Sequence, residues 1–393
     1  MSGAVYLAWR YIAHHRVKTS ILVGAIALIA FLPVGLYVIV GESASALTAR
    51  ADATPLLVGA RGSSLELVLS SLYFGSESRE QTRFAETERV AASGFADPIP
   101  LYVRFRAGDQ PIVGTTLEYF DFRGLHFAAG RRFALLGECV VGATAAQRLG
   151  VGPGDAVLSS PESVFDLAGV YPLKMRVSGV LEPTQGPDDA AVFVDVKTAW
   201  VIAGLGHGHQ DLAASGAAAA VLARVGGRIT ANASVVEYNE ITPENADSFH
   251  FHGDLADLPL TGILAVPHDE KARVLLMGRY EEPGLAVQIV RPRAVMDELL
   301  ETVITIRSYV VAALTTVAVA TLAVASLVFG LSLRLRQREI ETIVKIGGSR
   351  AAVTGLLASE VAFVLVFGAL LAGLLTGLFA RYGDSAIRAL FFA

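Results

Sequence analysis

The sequence predicts an integral membrane protein with three transmembrane α-helices and one large, mixed α+β extracytoplasmic domain arranged in two lobes. Two observations support this prediction. The 393 residues are 53% hydrophobic and only 18% charged, and most of the charge lies in one central region. This composition is too apolar for an ordinary soluble domain and too rich in structure-forming residues for a disordered chain.

Three segments have enough consecutive apolar residues to cross a bilayer as a helix. Residues 20–41 and 308–333 contain no charged residue, and residues 351–380 contain only Glu360. A crossing requires about 20 apolar residues. We therefore predict transmembrane helices over residues 20–41, 303–334 and 351–380.

The distribution of Lys and Arg predicts how these helices are oriented. Basic residues without acidic neighbours precede the first span, and five basic residues lie between positions 334 and 350. Residues 42–302 instead contain 21 basic and 33 acidic residues, a net charge of −12. Because basic loops stay in the cytoplasm, we expect the N-terminus and residues 335–350 inside, and residues 42–302 with the short tail 381–393 outside.

The first 19 residues predict a cytoplasmic amphipathic helix. Over residues 5–18, Arg10, His14 and Lys18 share one stripe and apolar side chains occupy the other side. Such a helix lies along the inner membrane surface; alternatively, the segment is a basic flank that only sets the topology. The first span is longer than the apolar part of a secretory signal, so we interpret it as an uncleaved anchor.

Local patterns within residues 42–302 predict alternating strands and helices. Period-two alternation and turn residues indicate the strands, and glycine or a return to helical periodicity marks the helices. The predicted strands cover residues 101–106, 140–142, 175–181 and 191–196, and the predicted helices cover residues 42–51, 143–149, 197–203 and 293–306. The last helix continues into the second span.

The loop after the second span predicts a charged elbow. Residues 333–346 form a helix in this prediction, with Glu341 placed to pair with Arg338 and Lys345. A glycine pair then breaks the helix, and Ser349 caps the next one. The alternative is a solvated hairpin that serves only as a positive anchor.

Several classes of chemistry are disfavoured. No phosphate-binding loop with the required glycine spacing and lysine occurs. The sequence has no evident nucleophile–histidine arrangement, and the adjacent acids Asp188 and Asp189 are expected in a solvated turn. The single cysteine, Cys139, excludes an intramolecular disulfide and is expected to be a buried apolar residue. We therefore predict no catalytic residues, and the acidic outer region argues against a nucleic-acid partner.

Two histidine pairs are candidate ligands for zinc or another divalent transition metal. Spacing of two residues places both members of a pair on one side of a strand, and neutral imidazoles suit zinc, copper and nickel. The candidate ligands are His207, His209, His250, His252 and Asp254. Alternatively, the pairs are polar turns. A metal-binding sensor remains one possible function.

Glu360 is the single acidic residue within the predicted spans. Intramembrane acids are functional candidates, and this one lies in the cytoplasmic half of the third predicted span. It is a candidate transport residue, or it reaches the headgroups or a basic neighbour.

Several segments, taken in order, resemble the FtsX-like, MacB-type family of ABC transporter permeases. Residues 7–19 are similar to the N-terminal motif of this family, and residues 331–350 resemble the coupling loop between its second and third spans. Five segments of the outer region resemble successive elements of the MacB-type periplasmic core domain: residues 113–116, 130–133, 140–143, 154–155 and 177–181.

The resemblance implies a non-catalytic, multi-pass permease subunit of the bacterial inner membrane. A dimer of a separate cytoplasmic ATPase, which holds ATP and Mg, would dock on the coupling loop, and a second permease copy, identical or related, would pair with this one in the bilayer. Movement of the outer domain would export or release a substrate, with a periplasmic adaptor or outer-membrane protein as a further partner. The implied coupling residues are Arg338, Glu339, Glu341, Lys345, Gly347, Gly348 and Ser349.

The resemblance leaves two questions open. An FtsX-like signalling scaffold that activates an extracytoplasmic enzyme is an alternative output for the same architecture. Members of the family usually have four spans, whereas residues 382–393 are too few to cross a bilayer. We therefore expect either a natural three-span variant or a chain whose closing helix is missing.

Overall fold

The chain forms two compact units in a computed structural model. The helical unit consists of Met1–Leu47 and Glu298–Ala393, and the α/β unit consists of Thr48–Asp297. The structure describes residues 3–14, 16–75, 80–160, 172–209, 221–225, 228–231, 238–282, 284–335, 337–345 and 349–391.

The described residues contain long helices at both ends of the sequence and short helices between them. In chain order the helices are α1 (Gly3–His14), α2 (Arg16–Asp52), α3 (Ser64–Tyr73), α4 (Ala85–Ala92), α5 (Glu118–Arg123), α6 (Ala143–Leu149), α7 (Val196–Ile202), α8 (Glu270–Arg279), α9 (Pro292–Leu335), α10 (Gln337–Lys345) and α11 (Arg350–Phe391).

The described strands all lie in the α/β unit. They are β1 (Leu56–Ala60), β2 (Thr82–Arg83), β3 (Ala96–Ala107), β4 (Gln110–Thr115), β5 (Phe127–Gly130), β6 (Glu138–Val141), β7 (Ala156–Leu158), β8 (Lys174–Leu181), β9 (Val192–Asp195), β10 (Gly206–Gly208), β11 (Val221–Val225), β12 (Arg228–Ala231), β13 (Phe249–Phe251), β14 (Pro259–Leu260), β15 (Gly262–Pro267) and β16 (Val287–Val290).

Ten of these strands form one mixed sheet. Its order is β16-β1-β15-β3-β4-β9-β6-β8-β5, and β7 pairs with β8. The described residues of Thr48–Asp297 belong to one compact unit, and a division of that unit into two lobes stays a prediction. Strand β15, from late in the sequence, lies between the early strands β1 and β3.

The local predictions in this unit agree well with the structure. Helix α6 ends where predicted, at Gly150, which adopts a left-handed conformation with φ of 66°. Strand β8 begins one residue before the predicted strand and ends with it, and α7 begins one residue early, after the N-cap Asp195. Cys139 is fully buried in β6, as predicted.

The N-terminal segment is helical at the described positions of the predicted helix 5–18. Helix α1 covers Gly3–His14 and helix α2 begins at Arg16, and residue 15 lies outside the described residues. The guanidinium Nε of Arg16 donates to the carbonyl oxygen of Ala13 at 3.0 Å.

Helices α2 and α11 pack closely through small residues. Ala27 and Ala372 are buried, and a Cβ at Gly368 would lie 2.6 Å from Cγ2 of Ile26. Small side chains at such a contact let two helix backbones approach, which is typical of helix pairs in membranes. The aromatic rings of Trp9 in α1 and Phe363 in α11 also meet, with centroids 6.0 Å apart.

Two stretches of the described helices are long and apolar enough to cross a membrane by length and composition. They are Thr19–Tyr37 in α2 and Val353–Phe379 in α11. The apolar stretch Ser308–Val324 in α9 is shorter, so the third span stays a prediction. Helix α11 also continues to Phe391, beyond the predicted end of the span at residue 380.

Candidate functional site

A buried ion pair joins the end of α2 to the core of the α/β unit. The guanidinium of Arg50 donates to both carboxylate oxygens of Asp188, at 2.6 and 2.9 Å, and to the hydroxyl oxygen of Tyr119 at 2.6 Å. The Tyr119 hydroxyl in turn donates to Asp188 at 2.7 Å. Only 9% of the Arg50 side chain and 5% of the Asp188 side chain are exposed. The last turn of α2 is thus held by a bidentate, charge-assisted contact.

The pKa values of this cluster reflect burial and charge. Burial alone would raise the pKa of Asp188, but attraction to Arg50 and the hydrogen bonds from Arg50 and Tyr119 hold that pKa below its usual value. Burial raises the pKa of Tyr119 well above its usual range, against the opposing attraction of Arg50. Around neutral pH the cluster therefore contains a carboxylate, a guanidinium and a neutral phenol.

A second ion pair lies near the same turn of α2. Arg293, in the first turn of α9, pairs with Asp52 at the end of α2 and donates from Nε to Asp297 at 2.8 Å. These three side chains are about half exposed, so their contribution to stability is small, with a median of about 0–1 kcal/mol for such pairs. The geometry nonetheless ties the last turn of α2 to the first turns of α9 within the α/β unit.

We call this cluster the α2 clamp (Arg50, Tyr119, Asp188); its residues are not among the predicted site residues. The expectation that Asp188 and Asp189 lie in a solvated turn is wrong because both are buried. Asp189 accepts hydrogen bonds from the backbone and hydroxyl of Thr184 and from the backbone of Gln185. The sequence contains one indication of this cluster: Arg50 is a single arginine between two alanines, in a helix that continues from an apolar span.

The described part of the predicted elbow includes α10 (Gln337–Lys345), which agrees with the helix predicted over residues 333–346. Arg338, Glu341 and Lys345 are exposed, and Ser349 precedes α11, where its carbonyl oxygen accepts from the backbone of Val353 at 3.2 Å. The side chain of Glu339 and the residues Gly347 and Gly348 lie outside what the structure describes. The structure therefore places three of the predicted coupling side chains on an exposed helix.

The two histidine pairs meet in space. Strands β10 and β13 pair antiparallel, with His207 opposite His250. One ring nitrogen from each of His207, His209 and His250 lies within 4.8 Å of the others. The ring of His252 lies beside them, with its centroid 4.9 Å from that of His207. The sequence predicted both pairs, and the register of the strands brings them together.

The two predicted acidic candidates lie elsewhere. The carboxylate of Asp254 accepts a hydrogen bond from the backbone of Ala256 at 3.0 Å and so caps a short helical turn. It is not among the three residues of the compact histidine group. Glu360, in α11, is only 5% exposed within the helical unit.

Comparison with known proteins identifies the α/β unit. A family model described as the MacB-like periplasmic core domain matches residues 21–235, more than half of the chain. No curated protein sequence matches the chain significantly.

Two solved structures are similar to parts of this chain. The extracellular domain of the ABC-type transporter YknZ from Gram-positive bacteria is 12% identical, with a TM-score of 0.32 over 60% of this chain and 98% of that one. The periplasmic region of MacB from Actinobacillus actinomycetemcomitans is also 12% identical, with a TM-score of 0.33 over 64% of this chain and 92% of that one.

The family match rests on the sequence itself and agrees with the motifs that resemble the periplasmic core domain. It indicates an inner-membrane protein with an extracytoplasmic domain, and the matched residues 21–235 include most of the α/β unit. This chain belongs to the family of ABC transporter permeases that contain a MacB-like periplasmic core domain.

Proposed function

We propose that this chain is a permease subunit in which a separate cytoplasmic ATPase drives movement of the extracytoplasmic α/β unit, for export or release of a substrate. The observation that carries the proposal is the α2 clamp. Helix α2 runs without interruption from Arg16 to Asp52, and its last turn is fixed by a buried, bidentate ion pair to Asp188. In this proposal, the ATPase displaces α2 at its membrane end, and the clamp passes that displacement to the α/β unit.

The second element of the proposal is the membrane arrangement. The N-terminus and α10 face the cytoplasm, because they lie in the basic segments of the chain. Helices α2, α9 and α11 provide three spans. The exposed apolar side chains of α9, which include Tyr309, Val319 and Leu327, face lipid or a second permease copy.

The third element is the contact with the ATPase. Helix α10 displays Arg338, Glu341 and Lys345 to solvent, so it offers charges of both signs to a docking partner. Charge patterns of this kind set specificity and register at an interface. We assign this surface, together with Glu339, Gly347, Gly348 and Ser349, to the ATPase contact, and the ATP and Mg belong to that partner.

Co-purification tests the docking step. The full chain with Arg338→Glu and Glu341→Lys keeps its net charge and reverses the pattern on α10. We expect the native chain, solubilised from its own membranes, to retain a nucleotide-binding subunit and ATP turnover, and the reversed chain to lose both. Arg83→Glu with Asp257→Lys is the matched control, because it reverses an exposed ion pair in the α/β unit.

The control should retain the ATPase as the native chain does. The docking assignment is wrong if the reversed chain still holds the ATPase, or if the native chain never retains one.

A further inference from the structure

Histidine side chains occupy one face of a small two-stranded ladder outside the main sheet. In this ladder His207 of β10 lies opposite His250 of β13, and Gly206 and Gly208 lie opposite Phe251 and Phe249. Residues directly opposite in an antiparallel pair share a face, and so do residues two apart. The pairing therefore brings the four imidazoles of residues 207, 209, 250 and 252 together.

Packing on the other face fixes this register. A Cβ at Gly206 would lie 2.6 Å from Cδ1 of Phe251, and one at Gly208 would lie 2.5 Å from Cδ2 of Phe249. The two glycines thus leave room for the phenyl rings. Phe251 also meets the buried Trp200 edge to face, with centroids 6.2 Å apart. A slip of one residue would expose both rings and bury the histidines, so the histidine face is strongly specified.

The rings are close enough to share one ion. The centroid of His207 is 4.9 Å from that of His250 and 5.8 Å from that of His209, and the centroids of His209 and His250 are 5.2 Å apart. One nitrogen from each of the three lies within 4.8 Å of the others. Tetrahedral zinc with bonds of about 2.0–2.1 Å separates its ligand nitrogens by about 3.4 Å. Small rotations of the three histidine side chains bring the ring nitrogens from within 4.8 Å of one another to the separation that zinc requires.

A hydrogen bond fixes the orientation of one candidate ligand, His250. Nδ1 of His250 lies 3.0 Å from the carbonyl oxygen of Ser248. When Nδ1 carries the proton, it donates to that oxygen and leaves the Nε2 lone pair for a metal. A histidine ligand whose other nitrogen donates to a backbone carbonyl is the usual arrangement at protein metal sites, where it fixes both ring orientation and tautomer.

We propose that His207, His209 and His250 bind one Zn²⁺ ion on the exposed face of the β10–β13 ladder, with His252 beside an open coordination position. Three neutral imidazoles are a ligand set that suits zinc. His207 and His209 are half-buried and His250 is exposed, so the ion reaches the site from solvent. A zinc site with three protein ligands and one open coordination position favours reversible binding of the ion, whereas structural zinc sites have four protein ligands.

The ion would connect two parts of the chain that are distant in sequence. It joins the strand that follows α7 to a strand about 40 residues later, next to Trp200, which is fixed by a hydrogen bond from Nε1 to the carbonyl oxygen of Pro259 at 2.8 Å. Zinc binding should therefore stabilise the native α/β unit, as any ligand specific for the folded state does. This inference goes beyond the permease role and does not depend on it.

Zinc titration of the full chain in detergent tests the proposal. After removal of metal by a chelator, Zn²⁺ alone is added in competition with a colorimetric indicator. We expect one Zn²⁺ per chain and a rise in melting temperature on binding. The variant His207→Gln, His250→Gln removes two ligands. It should bind more than about 100-fold more weakly, because loss of a group that merely orients a ligand already costs about 10–100-fold.

The matched control is His126→Gln, His268→Gln, which removes two exposed imidazoles of the same unit from outside the ladder. It should bind zinc within about twofold of the native chain. In metal-free buffer the ligand variant should melt like the native chain, which separates loss of binding from loss of folding. A His252→Gln variant should lose less affinity than His250→Gln.

Four results would overturn the proposal. The first is a native chain that binds no stoichiometric zinc, and the second is a ligand variant that binds as tightly as the native chain. The third is an equal loss in the control, which would indicate scattered surface binding. An equal loss for His252→Gln and His250→Gln would overturn the three-ligand assignment.

Discussion

Arg50 and Asp188 lie 138 residues apart in the sequence, yet both oxygens of the Asp188 carboxylate accept hydrogen bonds from the Arg50 guanidinium, at 2.6 and 2.9 Å. Arg50 belongs to the last turn of the helix that begins at Arg16, and Asp188 belongs to the α/β core. In the proposed mechanism, this contact is the point at which movement of α2 reaches the α/β unit. Its energetics lead to the first two predictions.

The variant Asp188→Asn should strongly destabilise the α/β unit. It leaves the buried guanidinium of Arg50 without a counterion, and breaking a buried ion pair in this way costs about 3–5 kcal/mol. The control Asp257→Asn removes one partner of the exposed pair with Arg83 and should cost at most about 1 kcal/mol. Denaturant unfolding of the full chain in detergent measures both. Equal losses would show that the clamp contributes no more than a surface pair.

The clamp should also make the free energy of unfolding depend on pH in the acid range. Asp188 has a lower pKa in the folded state than its ordinary value of 3.8, so the unfolded state binds its proton first. The stabilisation is fully present above that ordinary value and is lost as the pH falls through the lower, folded value. The difference in unfolding free energy between the native chain and Asp188→Asn should shrink below about pH 4. A difference that stays constant with pH would contradict the assigned ionisation.

The single thiol should resist alkylation in the folded chain. Cys139 is fully buried, and burial raises its pKa to about 12. The thiolate is the reactive form, and it is both scarce and inaccessible at about pH 8. Iodoacetamide should therefore label the chain only after unfolding in denaturant, as followed by mass spectrometry. Labelling of the native chain at the rate of the unfolded one would contradict the buried position.

Two glycines of α11 should respond differently to enlargement. A Cβ at Gly368 meets Ile26 of α2 at 2.6 Å, whereas none of the described atoms lies within 4 Å of a Cβ at Gly373. Gly368→Leu should therefore cost about 1–3 kcal/mol through overpacking, and Gly373→Leu should be tolerated. Thermal unfolding in detergent compares the two variants. Similar melting temperatures would argue against the close contact between α2 and α11.

Local features of the fold could be predicted from the sequence. Gly150 marked the end of α6, and the alternating pattern around Val177 gave β8, because both depend on residues that are neighbours in the chain. The histidine pairs were also visible as candidates. The alternation of glycine with histidine and of phenylalanine with histidine, which fixes the register, is readable once the two strands are known to pair.

Features that depend on distant pairing could not be predicted. Nothing local indicates that Asp188 meets Arg50, so the carboxylate was expected in solvent. The insertion of β15 between β1 and β3 likewise joins residues more than 150 positions apart.

The central claim is that ATP hydrolysis in the cytoplasm moves the α/β unit through α2. Hydrogen exchange of the reconstituted complex of full chain and ATPase, with and without ATP and Mg, measures this most directly. We expect nucleotide-dependent exchange in the peptides that contain Arg50 and Asp188, and its loss in the Arg338→Glu, Glu341→Lys variant. An ATPase that turns over while exchange in the α/β unit stays the same with and without nucleotide would contradict the claim.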